Sequence, residues 1–155
     1  MYTNQSCHRG HLYPAQTASG HPTYPADSVR STYQYTNAVP QCAAFYTGQW
    51  SVFEARIRTA AVQCVAGGGE MFLITGISFV AISNTNPPQA VIAPITQLGN
   101  GGIDRPNSMW TQGTCLYPGG HCVDFAVIGN NVNPPGTLTQ QITPADLAAI
   151  LQVDI

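Results

Sequence analysis

The chain has 155 residues, the usual size of one domain and enough to bury a hydrophobic core. Charged residues make up 8% of the sequence, with five arginines, no lysine and a formal net charge of −2, so the composition provides no broad basic surface for nucleic acid. No apolar run approaches the roughly 18 residues that a membrane span requires, so we expect no contact with a membrane.

The first half of the chain predicts short strands around one long helix. A strand is expected at residues 8–12, and residues 31–36 alternate aromatic or β-branched side chains with polar ones, which predicts a second strand. Over residues 48–65, apolar side chains recur at three- and four-residue steps, as on the buried face of a helix. Glu54 and Arg58 lie one helical turn apart there and should face the same side.

The second half predicts a sheet followed by a short helix. Apolar and β-branched runs predict strands at residues 71–77, 78–82, 90–95, 109–116 and 123–128, with residues 99–107 as loop. Thr143 and Pro144 are typical of a helix start, as N-cap and first helical residue. The expected fold is therefore α+β, with a mostly antiparallel sheet, one long helix and a short C-terminal helix.

Five cysteines without metal-ligand spacing favour a secreted, extracellular protein, where disulfides persist. Cys115 and Cys122 flank a Gly-Gly turn, so we expect a disulfide between them. The pairing of Cys7, Cys42 and Cys64 stays open. Because the count is odd, one thiol should remain free or pair outside the chain, and Cys7 is the candidate for a preceding segment or another chain.

Histidine, arginine, amide and carboxylate side chains gather in three short motifs. The motifs are His8-Arg9-Gly10-His11, then Asn37-Ala38-Val39-Pro40-Gln41, then Trp50-Ser51-Val52-Phe53-Glu54 with Arg58 one turn later. A glycine between Arg9 and His11 would let the backbone turn tightly and present both side chains to one place. One base, one amide, one carboxylate and several guanidinium groups suit phosphodiester chemistry, since a carboxylate can orient a hydrated metal and arginines can neutralise an anionic transition state.

These motifs resemble those of the DNA/RNA non-specific endonucleases of the ββα-metal, or His-Me finger, class. That family has Asp-Arg-Gly-His, then Asn-x-x-Pro-Gln, then Asn-x-Gly-x-Trp-x-x-x-Glu, and the order and spacing agree here. The resemblance covers residues 7–58 well and implies a single nuclease-like domain over residues 1–155 with a ββα-metal-like core. Family members carry a further N-terminal segment, and Met1 is followed by polar residues rather than a signal peptide. We therefore expect the C-terminal part of a longer protein.

The resemblance also implies a role for each matching residue. His11 would be the general base, and Arg9 and Arg58 would contact phosphate. Glu54 would orient the water shell of Mg²⁺, and Asn37 would support the site or bind the metal. The implied partner is nucleic acid, cleaved to leave 5′-phosphate ends.

Two positions depart from the family pattern. Tyr46 stands where the family has the asparagine that binds the metal directly, and a neutral phenol is a poor ligand for Mg²⁺. His8 stands where the family usually has aspartate. The sequence thus leaves two functions open: a secreted non-specific nuclease, or a nuclease-fold protein that has lost catalysis and serves as a binding or structural component outside the cell. A small-molecule hydrolase using His11 is a third alternative, but no serine or cysteine nucleophile motif accompanies it.

Overall fold

The computed structural model of the chain describes residues 7–20, 23, 25–99 and 102–154. Within these ranges the strands are β1 Cys7–His11, β2 Ala38–Cys42, β3 Glu70–Ser78, β4 Val80–Ile82, β5 Ala90–Ile92, β6 Thr96–Leu98, β7 Ile103–Arg105, β8 Ser108–Leu116, β9 Cys122–Asn130 and β10 Leu138–Ile142. The helices are α1 Ala15–Ala18, α2 Pro25–Ser31, α3 Ala43–Tyr46, α4 Gln49–Ala66 and α5 Pro144–Leu151. Single turns of 3-10 helix cover Tyr35–Asn37 and Gln152–Asp154.

The largest sheet has four antiparallel strands in the order β10-β9-β8-β3. The strands β1 and β2, β4 and β5, and β6 and β7 form separate two-stranded antiparallel sheets. The predicted α+β class is therefore confirmed, with its antiparallel sheet, one long helix and a short C-terminal helix.

The four-stranded sheet is covered by a helix on each face, because successive side chains of a strand point to opposite sides. On β9, Val127 belongs to a buried cluster with Trp50 and Ile57 of α4. Its neighbour Ile128 belongs to a second cluster with Leu147 of α5. The motifs singled out in the sequence lie on the α4 side of the sheet.

The two predicted helices form close to their expected ends. The long helix spans Gln49–Ala66 and buries Trp50, Ile57 and Cys64. In α5, the Thr143 hydroxyl accepts a hydrogen bond from the Asp146 backbone N–H, and the Asp146 carboxylate accepts one from the Thr143 N–H, which completes a capping box. None of the helices in the described ranges is long and apolar enough to cross a membrane.

The strand predicted at residues 31–36 is wrong. Pro25 begins helix α2, with Asp27 in its first turn, and the chain then passes through a turn and a 3-10 turn before β2 begins at Ala38. Proline at the first helical position and an acidic residue near the positive helix end both favour a helix. Tyr33 and Tyr35 are 67% and 86% exposed, so the aromatic residues that suggested a strand have no core to face.

Smaller differences concern the loops beyond β4. The strand expected over residues 90–95 ends at Ile92, and the loop expected over residues 99–107 contains β7. These strands have three residues each and pair only within their own hairpins, so their apolar patterns are too short to separate strand from loop.

The disulfide in the structure joins Cys64 and Cys115, with Cα atoms 5.9 Å apart, and the expected Cys115–Cys122 bridge is wrong. Cys122 does pair with Leu116 in the β8–β9 hairpin, next to Cys115. Adjacent residues on a strand point to opposite faces, so Cys122 lies exposed on the face that Cys115 does not use. The bridge instead fastens the end of α4 to β8.

Cys7, the candidate for pairing outside the chain, lies beside Cys42, and neither is in a disulfide. Both are buried, they are direct partners in the β1–β2 ladder, and their Sγ atoms lie 3.8 Å apart. Cys122 is the exposed free thiol among the described cysteines.

We predict that the Cys64→Ala/Cys115→Ala variant loses about 4 kcal/mol of unfolding free energy, since the bridge closes a loop with a sequence separation of 51. Urea denaturation of this variant, with Cys122→Ala as the matched control, measures the loss. A control variant that loses as much as the double variant would contradict the assignment.

Candidate active site between β1 and α4

The first two motifs are partners in one antiparallel ladder. β1 carries Arg9, Gly10 and His11, and these residues pair with Pro40, Val39 and Ala38 of β2. The motif order in the sequence is thus explained by a two-stranded sheet that ends at His11. Pro40 fits in this ladder because a two-stranded sheet consists of edge strands, where proline is tolerated.

Gly10 is required for close packing rather than for the tight turn expected from the sequence. It lies inside strand β1, and a Cβ atom at this position would overlap the side-chain amide of Gln41. Gln41 is fully buried and donates a hydrogen bond from Nε2 to Sδ of Met109 on β8, at 2.9 Å. The glycine of the first motif therefore makes room for the glutamine of the second, and both are held against the sheet.

Asn131 attaches the β1–β2 sheet to the rest of the protein. Its side chain is fully buried; Oδ1 accepts a hydrogen bond from the Cys42 N–H at 2.8 Å, and Nδ2 donates to the carbonyl oxygens of Pro40 and Pro106 at 2.7 and 3.0 Å. The bonds to Cys42 and Pro40 satisfy buried backbone groups of β2 that do not bond to β1.

The third motif positions its carboxylate through the indole of Trp50. Trp50 is buried and stacks on Phe45 of α3, with ring centroids 5.1 Å apart. Its Nε1–H donates to Oε1 of Glu54, one turn later, at 3.1 Å. The Trp-x-x-x-Glu spacing thus places donor and acceptor on the same helix face.

His11, Glu54, Arg58 and Tyr46 line one cleft of about 440 Å³ between β1 and α4, together with Tyr33. This cleft is called the His11 cleft below. Arg9 lines an adjoining cavity of about 350 Å³, which also includes His11 and Tyr33. The structure therefore brings together the expected base, the expected carboxylate and one arginine, and places the second arginine on the far side of His11.

Burial raises the pKa of the Glu54 carboxyl above its usual range. The Trp50 hydrogen bond and the positive charge of Arg58 act in the opposite direction, and burial prevails. The ionised carboxylate is thus destabilised by its surroundings, which is typical of a functional carboxylate rather than of one placed for stability.

Asn37, expected to support the site or bind the metal, is hydrogen-bonded to backbone groups. Its Oδ1 accepts a hydrogen bond from the Tyr13 N–H at 2.8 Å, and its Nδ2 donates to the carbonyl oxygens of Tyr13 and Thr32 at 3.0 and 2.9 Å. The amide therefore braces the turn after β1 against the turn after α2. It is not among the residues that line the His11 cleft.

The buried thiol of Cys42 is a poor nucleophile. Burial raises the pKa of Cys42 to about 11, although Arg105 beside it acts to lower this value. Only the thiolate is nucleophilic, so Cys42 is inert at neutral pH. Cys42 therefore provides no nucleophile for the small-molecule hydrolase alternative.

Sequence reasoning did not identify Tyr33, Gln41 and Asn131 as site residues. Tyr33 meets His11 edge to face, with ring centroids 5.1 Å apart. Gln41 belongs to the second motif and pairs with His8, two ladder positions from the pair formed by Gly10 and Val39. No sequence signal marks Asn131, because its partners lie 89 and 91 residues away in the chain.

Comparison with known proteins supports the motif assignment. The sequence profile described as DNA/RNA non-specific endonuclease matches residues 1–121. The chain belongs to the DNA/RNA non-specific endonuclease family. No curated protein sequence matches the chain.

The fold of this endonuclease family member also resembles a solved structure, entitled "Crystal structure of the EndoG/EndoGI complex: Mechanism of EndoG inhibition". The TM-score is 0.69 and the sequence identity 14%, so the likeness concerns the fold. The match covers 97% of this chain and 59% of the other, so the chain spans little more than half the length of that protein.

The endonuclease family is generally metal-dependent, but the residues of this cleft do not fit a metal held directly by the protein. Glu54 is the one carboxylate among the described residues that line the cleft, and one of its oxygens takes the Trp50 hydrogen bond. The oxygen and the nitrogen of the Asn37 side-chain amide are both hydrogen-bonded to backbone groups. The phenol of Tyr46 also lines the cleft, and its ring lies 5.6 Å from the ring of His8. No group of three metal-ligating His, Cys, Asp or Glu side chains occurs in the described ranges.

We predict that Glu54→Gln raises the unfolding free energy at neutral pH and changes it little at about pH 4. The folded-state pKa of Glu54 lies above its unfolded value of about 4.3, so the folded state is penalised as pH rises through the interval between the two values. Glutamine removes this charge but keeps an oxygen that can accept the Trp50 hydrogen bond.

Denaturant unfolding across this pH range measures the effect, with Glu70→Gln on the exposed start of β3 as the matched control. A Glu54→Gln variant that is less stable than the unmodified protein at neutral pH would refute the account of the carboxylate.

Proposed function

We propose that this chain binds the phosphodiester backbone of DNA or RNA in the His11 cleft and hydrolyses it slowly, as an extracellular relative of the non-specific endonucleases. The observation that carries this proposal is the meeting of His11, Glu54 and Arg58 in one cleft. The family membership supports nucleic acid as the substrate.

His11 supplies the base. The imidazole at the end of β1 accepts a proton from a water molecule, and that water attacks phosphorus while the P–O3′ bond breaks. The leaving 3′ oxygen takes a proton from solvent, which gives a 3′-hydroxyl and a 5′-phosphate end. Tyr33 packs against the ring edge to face and limits its rotation. A base fixed in this way can act on a water that lies between it and the bound phosphate.

Arg58 and Arg9 supply the positive charge. Each guanidinium can donate two parallel hydrogen bonds to phosphate oxygens, and the charge neutralises the phosphate as the water attacks. Arg58 lines the cleft itself and Arg9 the cavity on the other side of His11. A strand that passes His11 can therefore place successive phosphates on the two arginines.

Tyr46 accounts for the slow rate. Its phenol lies in the wall of the cleft at the position where the family has an asparagine ligand. A phenol hydroxyl is a poor ligand for Mg²⁺, which prefers carboxylate and carbonyl oxygens. His11 and the arginines remain to bind substrate and activate water, but the leaving oxygen lacks the stabilisation that a directly held cation gives.

An extracellular location is supported by the Cys64–Cys115 disulfide, because such bonds persist in oxidising compartments. A second candidate function is that of a catalytically inactive structural or binding component of an extracellular assembly. The Tyr46 ring favours it, since the ring takes the position at which the family's chemistry depends on a metal.

We predict that Tyr46→Asn increases Mg²⁺-dependent cleavage of DNA and RNA by at least about tenfold, because asparagine restores a carbonyl ligand and clears space for the water shell of the ion. Release of acid-soluble nucleotides, measured with and without Mg²⁺, checks the increase. His11→Ala/Tyr46→Asn is the negative control and should be inactive.

Two outcomes would contradict the proposal in different ways. Robust Mg²⁺-dependent cleavage by the unmodified protein, abolished by His11→Ala and unchanged by Tyr46→Asn, would establish a full enzyme. Failure of both the unmodified protein and Tyr46→Asn to bind or cleave nucleic acid would leave the structural role.

A further inference from the structure

Four exposed tyrosines surround the His11 cleft. Tyr33 and Tyr46 line it directly, Tyr35 lines the adjoining cavity with Arg9, and Tyr13 lies beside Arg58 in a neighbouring groove. Exposed aromatic side chains that occur singly are ordinary, but a cluster around a polar cleft marks a binding surface.

Tyr33 and Tyr35 form the most open pair of this cluster. They are 67% and 86% exposed, and Gln34 between them has an extended backbone, with φ −80° and ψ 145°. Tyr33 and Tyr35 both line the cavity that contains Arg9. The two side chains thus lie beside a positive charge and are mostly open to solvent.

The side chain of Asn37 anchors the backbone at Tyr13 and next to Tyr33. Its Nδ2 donates to the carbonyl oxygen of Thr32, which directly precedes Tyr33, and to the carbonyl oxygen of Tyr13 itself. The Tyr33 N–H donates to the Arg30 carbonyl oxygen at the end of α2. The backbone next to the exposed tyrosines is therefore fixed by hydrogen bonds.

The charge of the chain argues against duplex as the preferred partner. Duplex binding depends largely on neutralisation of phosphates by lysine and arginine, and this chain has five arginines, no lysine and a net charge of −2. Single strands can gain affinity from a second source, because their bases stack on aromatic side chains while arginines track the backbone. In a duplex those base faces are hidden.

We propose that the His11 cleft prefers single-stranded nucleic acid, whose unpaired bases stack on Tyr33 and Tyr35 while its phosphates bind Arg9 and Arg58. This inference rests on the proposed phosphodiester-binding function and names its substrate class. The stacking is independent of base identity, since every base has an aromatic face.

The test compares three fluorescent ligands of equal length by anisotropy: a mixed-sequence single strand, the same strand with abasic sites throughout, and the corresponding duplex. EDTA keeps the ligands intact. The proposal expects the single strand to bind tighter than the abasic strand by about five- to 150-fold for each stacked base. The duplex should bind more weakly than the single strand.

Substitutions at the two rings separate stacking from other effects. Tyr33→Leu and Tyr35→Leu should each reduce single-strand affinity towards that of the abasic strand and leave abasic binding unchanged, whereas Tyr33→Phe and Tyr35→Phe should retain the affinity. Phe72→Ala removes an exposed aromatic ring from edge strand β3 and is the matched control. Arg58→Ala should weaken all three ligands.

The outcomes distinguish this inference from the function on which it rests. Equal binding of the base-bearing and abasic strands, sensitive to Arg58→Ala, would overturn the stacking proposal and keep the phosphodiester site. Tighter binding of duplex, or loss in the phenylalanine variants equal to that in the leucine variants, would also overturn it. No binding of any ligand would overturn the phosphodiester site and the stacking proposal together.

Discussion

The buried amide of Asn131 is the connection on which the candidate site depends. Strand β2 has β1 as its ladder partner in the described structure, so the sheet that carries Arg9 and His11 joins the rest of the protein through side chains. Gln41, which donates to Met109, is one of these side chains, and Asn131 is another. Three hydrogen bonds from Asn131 fix β2 to the segment before β8. Each such bond contributes about 1 kcal/mol net, and a buried donor or acceptor left unpaired costs about 1–3 kcal/mol. The position of His11 relative to the sheet therefore depends on a residue with no place in any of the three motifs.

The other wall of the cleft is fastened independently. Helix α4 is held by the Cys64–Cys115 bridge at its end and by the stacking of Trp50 on Phe45 at its start. Glu54 lies between these two points, at a depth where burial raises its pKa. The two walls thus place His11 and the destabilised carboxylate of Glu54 in one cleft. The stability that is lost at Glu54 is offset by packing elsewhere along α4.

The sequence predicts the elements whose pattern is long and locally complete. The apolar stripe of α4, the apolar runs of β8 and β9, and the Thr143 cap of α5 can each be recognised from a short window of sequence. The sequence does not predict features that depend on distant partners or on strand facing. Cys115 and Cys122 are close in sequence and in the hairpin, yet strand alternation separates their side chains. The tyrosines of residues 31–36 suggest a strand, but nothing in that window reveals that they face solvent beside the cleft. The motif order predicts that His11, Glu54 and Arg58 lie close together, and all three line the His11 cleft. The contacts that Gly10 makes with Gln41, and Asn37 with Tyr13, are visible only in the structure.

Tyr46 distinguishes this cleft from the pattern of its family. We infer that the phenol of Tyr46, the hydrogen-bonded amide of Asn37 and the single carboxylate among the described cleft residues leave the site poorly suited to hold a divalent cation directly. The most direct measurement is anomalous diffraction from crystals of the unmodified protein and of Tyr46→Asn, soaked in the same Mn²⁺ solution. The account predicts a manganese peak beside Glu54 in the variant and none there in the unmodified protein. A fully occupied manganese site beside Glu54 with Tyr46 in place would contradict it.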